Sequence, residues 1–146
     1  MITYHYKDFM RTKIFPGRFE SLPKIRDFIV NAAVSAGLNE PDVYAVELAV
    51  DEACSNIIEH AYGGEDIGDI HCTCKVSDND LTIILKDHGR PFEPESVPEP
   101  NFNAPIEDLK PGGAGLYLMR KMMDEIQFEF TSDDGNTLVM VKRIDK

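Results

Sequence analysis

The chain has 146 residues, 42% hydrophobic and 28% charged, which is the balance of a globular protein and a length that fits one domain spanning 1–146. Lys and Arg total 15 against 26 Asp and Glu, and the resulting net charge of −11 repels nucleic-acid backbones, so a general DNA or RNA binder is not expected. No apolar stretch approaches the ~18 residues of a membrane span. Met1-Ile2-Thr3-Tyr4-His5-Tyr6 does not read as a secretory signal, and three cysteines without a framework spacing point to a reducing cytoplasm.

Thr12-Lys13-Ile14-Phe15, ended by Pro16-Gly17, reads as an edge strand. Ser21 is expected to cap a first helix, with Pro23 in its first turn. Ile25, Phe28, Ile29 and Ala32 recur at helical spacing until Gly37 stops the run. A second helix is predicted from Asn39-Glu40-Pro41-Asp42 to about Tyr62, with Val43, Val46, Val50, Ala53 and Ile57 as its apolar stripe. The period then changes. Ile70, Cys72, Cys74 and Val76 alternate with His71, Thr73 and Lys75, the pattern of a strand with one buried face. Ser77-Asp78-Asn79-Asp80 is turn chemistry, and residues 81–86 make the return strand. With no Cys-x-x-Cys pair in the chain, the cysteines read as small buried hydrophobes and not as zinc ligands.

Residues 90–113 are proline-rich and acidic, and a loop of that length inside a compact domain is either functional or disordered. A third helix is expected over 114–125, with Met119, Met122 and Met123 in the core. A closing hairpin then pairs 126–130 with 138–142 across Ser132-Asp133-Asp134-Gly135-Asn136. Hairpins need no parallel crossover, so the expected fold class is α+β: a two-layer sandwich of a mainly antiparallel sheet with helices on one face.

Three constellations carry chemistry. In the second helix Glu52, Asn56 and His60 are four apart and share one row. A carboxylate one turn from a carboxamide suits a general base beside a magnesium ligand, because magnesium takes hard oxygens and few protein ligands. The same spacing also fits the solvated edge of an amphipathic helix. Asp87-His88-Gly89-Arg90-Pro91 follows an apolar strand. There a buried carboxylate could accept from an adenine amino group, and an ordinary Asp-x-Gly turn is the alternative. Gly112-Gly113-Ala114-Gly115-Leu116 opens the third helix, where glycines let backbone N–H groups approach phosphate and the helix start adds positive potential. A flexible hinge fits that segment as well. The chain has no Walker motif.

Taken in this order, the three motifs resemble those of the histidine-kinase-like ATPase (GHKL, Bergerat) superfamily over roughly residues 43 to 141. Asn136-Thr137 after Gly135 is similar to the family's closing element. The stretch from Val50 to Tyr62, with Gly115-Leu116-Tyr117-Leu118-Met119-Arg120, looks most like bacterial anti-sigma-factor serine kinases. The resemblance implies a Bergerat ATP-binding fold with ATP and Mg2+ as cofactors and a lid over about 90–113. It implies Glu52 as general base toward a substrate serine and Asn56 as the magnesium ligand. Asp87 would hold the adenine amino group, with Gly89 giving the close turn. Gly113, Gly115 and Leu116 would lie at the phosphates, and Thr137 would support the Asp87 water network. The implied activity is ATP-dependent phosphorylation of an anti-anti-sigma (STAS-type) partner on serine by a regulator that also binds a sigma factor, acting as a cytoplasmic homodimer paired through its N-terminal part and first helix. The alternative is a partner-switching module of the same fold with little or no turnover. Pro91 departs from the family's Asp-x-Gly-x-Gly and removes one backbone donor. His60 is expected to be a buried, satisfied histidine.

Overall fold

The computed structural model describes residues 9–91 and 113–144; most of the expected lid therefore lies outside the described residues. The elements in chain order are β1 (Phe9–Pro16), α1 (Leu22–Ala36), α2 (Glu40–Asn56), β2 (Asp69–Val76), β3 (Asp80–Asp87), α3 (Gly113–Met122), β4 (Glu125–Thr131) and β5 (Gly135–Arg143). The strands form one five-stranded sheet in the order β1-β2-β3-β5-β4, antiparallel at every pairing. This is the expected α+β architecture, with β1 at the expected edge and longer at its start than the sequence suggested.

Alternation places one face of each central strand in the core. Ile70, Cys72, Cys74 and Val76 of β2, Leu81, Ile83 and Leu85 of β3, and Leu138 and Met140 of β5 pack with the apolar stripes of the three helices in a single cluster. The cysteines behave as expected: all three are free and buried, and burial pushes the Cys74 thiol up to about 12, which makes it inert.

Two local expectations are corrected. Ser21 stands at the N-cap of α1, but a short 3-10 turn (Phe19–Ser21) precedes it and its own backbone is already helical (φ −76°, ψ −20°). A capping side chain needs an extended backbone, so the Ser21 hydroxyl donates instead to the Pro16 carbonyl at 2.7 Å. Asn39, which is extended, does cap α2 by accepting from the Asp42 N–H at 2.9 Å.

The second correction bears on the site. The second helix does not continue as an α-helix to Tyr62; Ile57–Ala61 is a π-turn, closed by the Tyr62 N–H on the Ile57 carbonyl at 2.9 Å. A π-turn is wider than the α-helix, and His60 still lines the same cleft as Asn56. Its side chain is 46% exposed, 3.9 Å from Glu59, and not the buried histidine expected. The last carbonyls of the helix have no partner within it and serve the strand-end loop: Arg90 donates from its backbone N–H to Ala61 at 2.8 Å and from its guanidinium to His60 at 2.9 Å.

Candidate active site

An open cleft lies between α2, α3 and the ends of β3, β4 and β5. Ile57, Met119, Phe128 and Leu138 supply apolar walls, and Asn56, His60, Asp87, Arg90, Asn136 and Thr137 supply polar groups. Its mix of apolar wall and few polar groups suits a small-molecule ligand.

Asp87 ends β3 and is 3% exposed. Its Oδ1 accepts from the Gly89 N–H at 2.9 Å and from the Asn136 side-chain amide at 2.9 Å. Burial raises the Asp87 carboxyl above its ordinary range, against the opposing pull of these two donors and of His88. Gly89 is required by contact: a Cβ there would lie 2.4 Å from the backbone of Ala61. Gly135 opens β5 at φ 74°, and a Cβ there would lie 2.3 Å from the Asp87 carbonyl oxygen. The Tyr62 hydroxyl accepts from the His88 N–H at 3.0 Å and donates to the Asp69 carbonyl at 2.6 Å, fastening the turn to the helix end from the other side.

The other end of the site is made by α2 and α3. Glu52 is half-buried, and a Cβ on Gly115 would lie 2.7 Å from its Oε2 and 3.5 Å from the Asn56 amide nitrogen. Thus the glycine start of α3 sits directly on the Glu52–Asn56 line. Burial raises the Glu52 carboxyl first, and the negative charges of Asp51 and Glu59 raise it further. Asp51 itself is held by Arg26 of α1 at 3.0 Å.

The structure therefore brings Glu52, Asn56, Asp87, Gly89, Gly115 and Thr137 to one region. Gly113 begins α3. Leu116 does not present its side chain there: it is 3% exposed and belongs to the core, which leaves only its backbone to meet a ligand. Thr137 lines the cleft, but the side chain bonded to Asp87 is that of its neighbour, Asn136. Sequence reasoning missed this role for Asn136 and the strap made by Arg90. The available signal was the Gly135-Asn136 step at a strand start, yet only the register that pairs Asp87 with Asn136 gives it meaning.

Among the described residues no group of three or more His, Cys, Asp or Glu could hold a metal. The Asn56 carboxamide beside the cleft fits a cation that brings phosphate and water as its remaining ligands, as magnesium does. No helix among the described residues is long and apolar enough to cross a membrane.

This arrangement, on this sheet order, defines the class: the chain belongs to the histidine kinase-like ATPase domain family, whose model matches residues 15–142. Its curated relatives narrow the group. The serine-protein kinases RsbW of Bacillus thuringiensis and Bacillus cereus are 33% identical over 135 residues, 90% of this chain and 82% of theirs. Solved structures share the fold. The RsbU and RsbW domains of a Mycobacterium tuberculosis protein superpose with a TM-score of 0.67 at 14% identity, over 94% of this chain and 33% of that one. The catalytic domain of histidine kinase ThkA gives 0.53 at 16% identity, over 91% of this chain and 97% of that one.

Proposed function

We propose that this chain is a single-domain, ATP- and magnesium-dependent protein serine kinase that regulates a sigma factor by phosphorylating an anti-anti-sigma partner. The observation that carries the reading is the contact of Gly115 with Glu52 and Asn56 at one end of a cleft whose other end holds a buried carboxylate. The serine-protein kinase names of the relatives support it.

In this reading the apolar walls take the two faces of the adenine, and Asp87 accepts from its amino group. Gly89 keeps the turn tight against Ala61, and Thr137 supports the water around Asp87. The backbone of Gly113, Gly115 and Leu116 at the start of α3 faces the phosphates, where N–H groups and the helix dipole favour negative charge. Asn56 holds the cation through its carboxamide oxygen. Bound magnesium offsets charge on the phosphate oxygens, which a chain of net charge −11 cannot do alone. Glu52 accepts the hydroxyl proton of the acceptor serine as its oxygen bonds to the γ-phosphorus and ADP leaves. A raised carboxyl is a stronger base than a solvated one, and placement supplies the rest. The acceptor is a STAS-type protein, the sigma factor is the second partner, and two copies pair in the cytoplasm through the N-terminal part and α1.

The test is transfer of labelled γ-phosphate to a candidate anti-anti-sigma acceptor. Wild type should yield phosphoserine, and Glu52→Gln should bind nucleotide without transfer. Binding without transfer by the wild type would instead identify a partner-switching module.

A further inference from the structure

Asn136 sits opposite Asp87 in the last paired position of β3 and β5 and is 8% exposed. Its amide nitrogen donates to Asp87 Oδ1 at 2.9 Å and to the Arg90 carbonyl at 2.8 Å, with the Gly89 carbonyl at 3.4 Å. All three neighbours are acceptors, so only the NH2 side of the amide can face them, and its orientation is fixed. Two donors, Asn136 and the Gly89 N–H, then converge on the same carboxylate oxygen.

We infer that Asn136 is a positioning residue that determines which base edge the cleft reads: by claiming Oδ1 of Asp87 it leaves Oδ2 as a fixed acceptor for a ligand amino group. The inference rests on the reading of the cleft as an adenine-nucleotide site and adds the source of its selectivity. The same bond has a second effect. A donor on a buried carboxylate favours the charged form, so loss of Asn136 moves protonation of Asp87 to higher pH. The charged and titratable groups around Asp87 are His88 on its own turn, Tyr62 at the helix end, Arg90 beyond the turn, and Glu129 of β4 across the cleft. None of them donates to Oδ1.

The role separates from mere support through pH and base identity. Binding of ADP and of inosine diphosphate, each with magnesium, is measured by calorimetry from pH 5 to 9 on the full chain. Asn136→Ala should bind ADP about tenfold more weakly at pH 8, the loss of one charge-assisted hydrogen bond, and the deficit should widen as pH falls. Asp87→Asn keeps an oxygen for the two donors and turns its NH2 to the cleft, so inosine diphosphate should bind it more tightly than ADP. An Asn136→Ala profile that parallels wild type, or an Asp87→Asn variant that weakens both nucleotides equally, overturns the proposal. If Asn136→Ala does not fold, the Asp87→Asn comparison decides alone. A wild type that binds neither nucleotide removes the adenine reading itself, an outcome distinct from either of these.

Discussion

At the Asp87 end of the cleft, the turn after β3 is stitched to its surroundings by directional bonds: Gly89 and Asn136 onto Asp87, Arg90 onto the π-turn carbonyls, and His88 onto the Tyr62 hydroxyl. At the Glu52 end, the described contact is packing of a glycine against a carboxylate, with Asp51 held aside by Arg26. Directional bonds fix a recognition group within a narrow range of positions. Packing against Gly115 leaves the Glu52 side chain free to adjust as a substrate arrives. In the proposed reading, selectivity for a ligand and placement of a reacting group fall to differently built ends of one site.

That contrast can be broken from either side. The largest expected effect is on transfer: Glu52→Gln should lower the rate of phosphoserine formation by ~10²–10⁴-fold while nucleotide affinity, set at the other end, stays within a few-fold. Next comes Gly89→Ala. Its Cβ meets backbone and not a flexible side chain, so it should cost about 1–3 kcal/mol of stability in denaturant melts and weaken nucleotide binding together. Gly115→Ala sharpens the comparison because its Cβ meets the movable end of Glu52. Stability should hold or rise by up to ~1 kcal/mol, since Ala outranks Gly in a helix, while transfer falls.

The smallest effects are those of pH. Asp87 is raised above 3.8 in the folded chain, so its contribution to stability is present below that value and is lost as pH rises through the raised one. Thermal melts should therefore find Asp87→Asn as stable as wild type or more so at neutral pH, with the wild type gaining on it as the solution is acidified. Glu52 is likewise raised, which puts the acid limb of the transfer rate above pH 4.5; a limb at or below that value would argue against an ionised Glu52 in the reaction.

Much of this site was legible because its motifs are local. Asp87 and Gly89 are two apart at a strand end, and Glu52 and Asn56 are one helical turn apart, so spacing implied that each pair is adjacent, while the roles expected of them came from the family resemblance. Four residues later His60 still lines the cleft, but it is exposed and not buried as expected. The α-helical period was carried through a segment that forms a π-turn, whose last carbonyls accept from Arg90, thirty positions downstream of His60. Ser21 stands at the expected N-cap of α1 but makes no side-chain cap: the chain entering the helix was already turning, and the hydroxyl found the Pro16 carbonyl.

By itself the sequence determined the alternation that buries one face of each strand, the three helices, and the residue types able to hold a nucleotide and its cation. Those properties depend on neighbours within a few positions, where side-chain period and turn chemistry act. Only the tertiary structure decided that Asn136 would meet Asp87, that Gly115 would rest on Glu52, and that Leu116 would turn into the core. Each depends on strand register or helix packing between distant segments, with Asn136 and Asp87 49 residues apart and Gly115 and Glu52 63 apart, and no local preference encodes that distance.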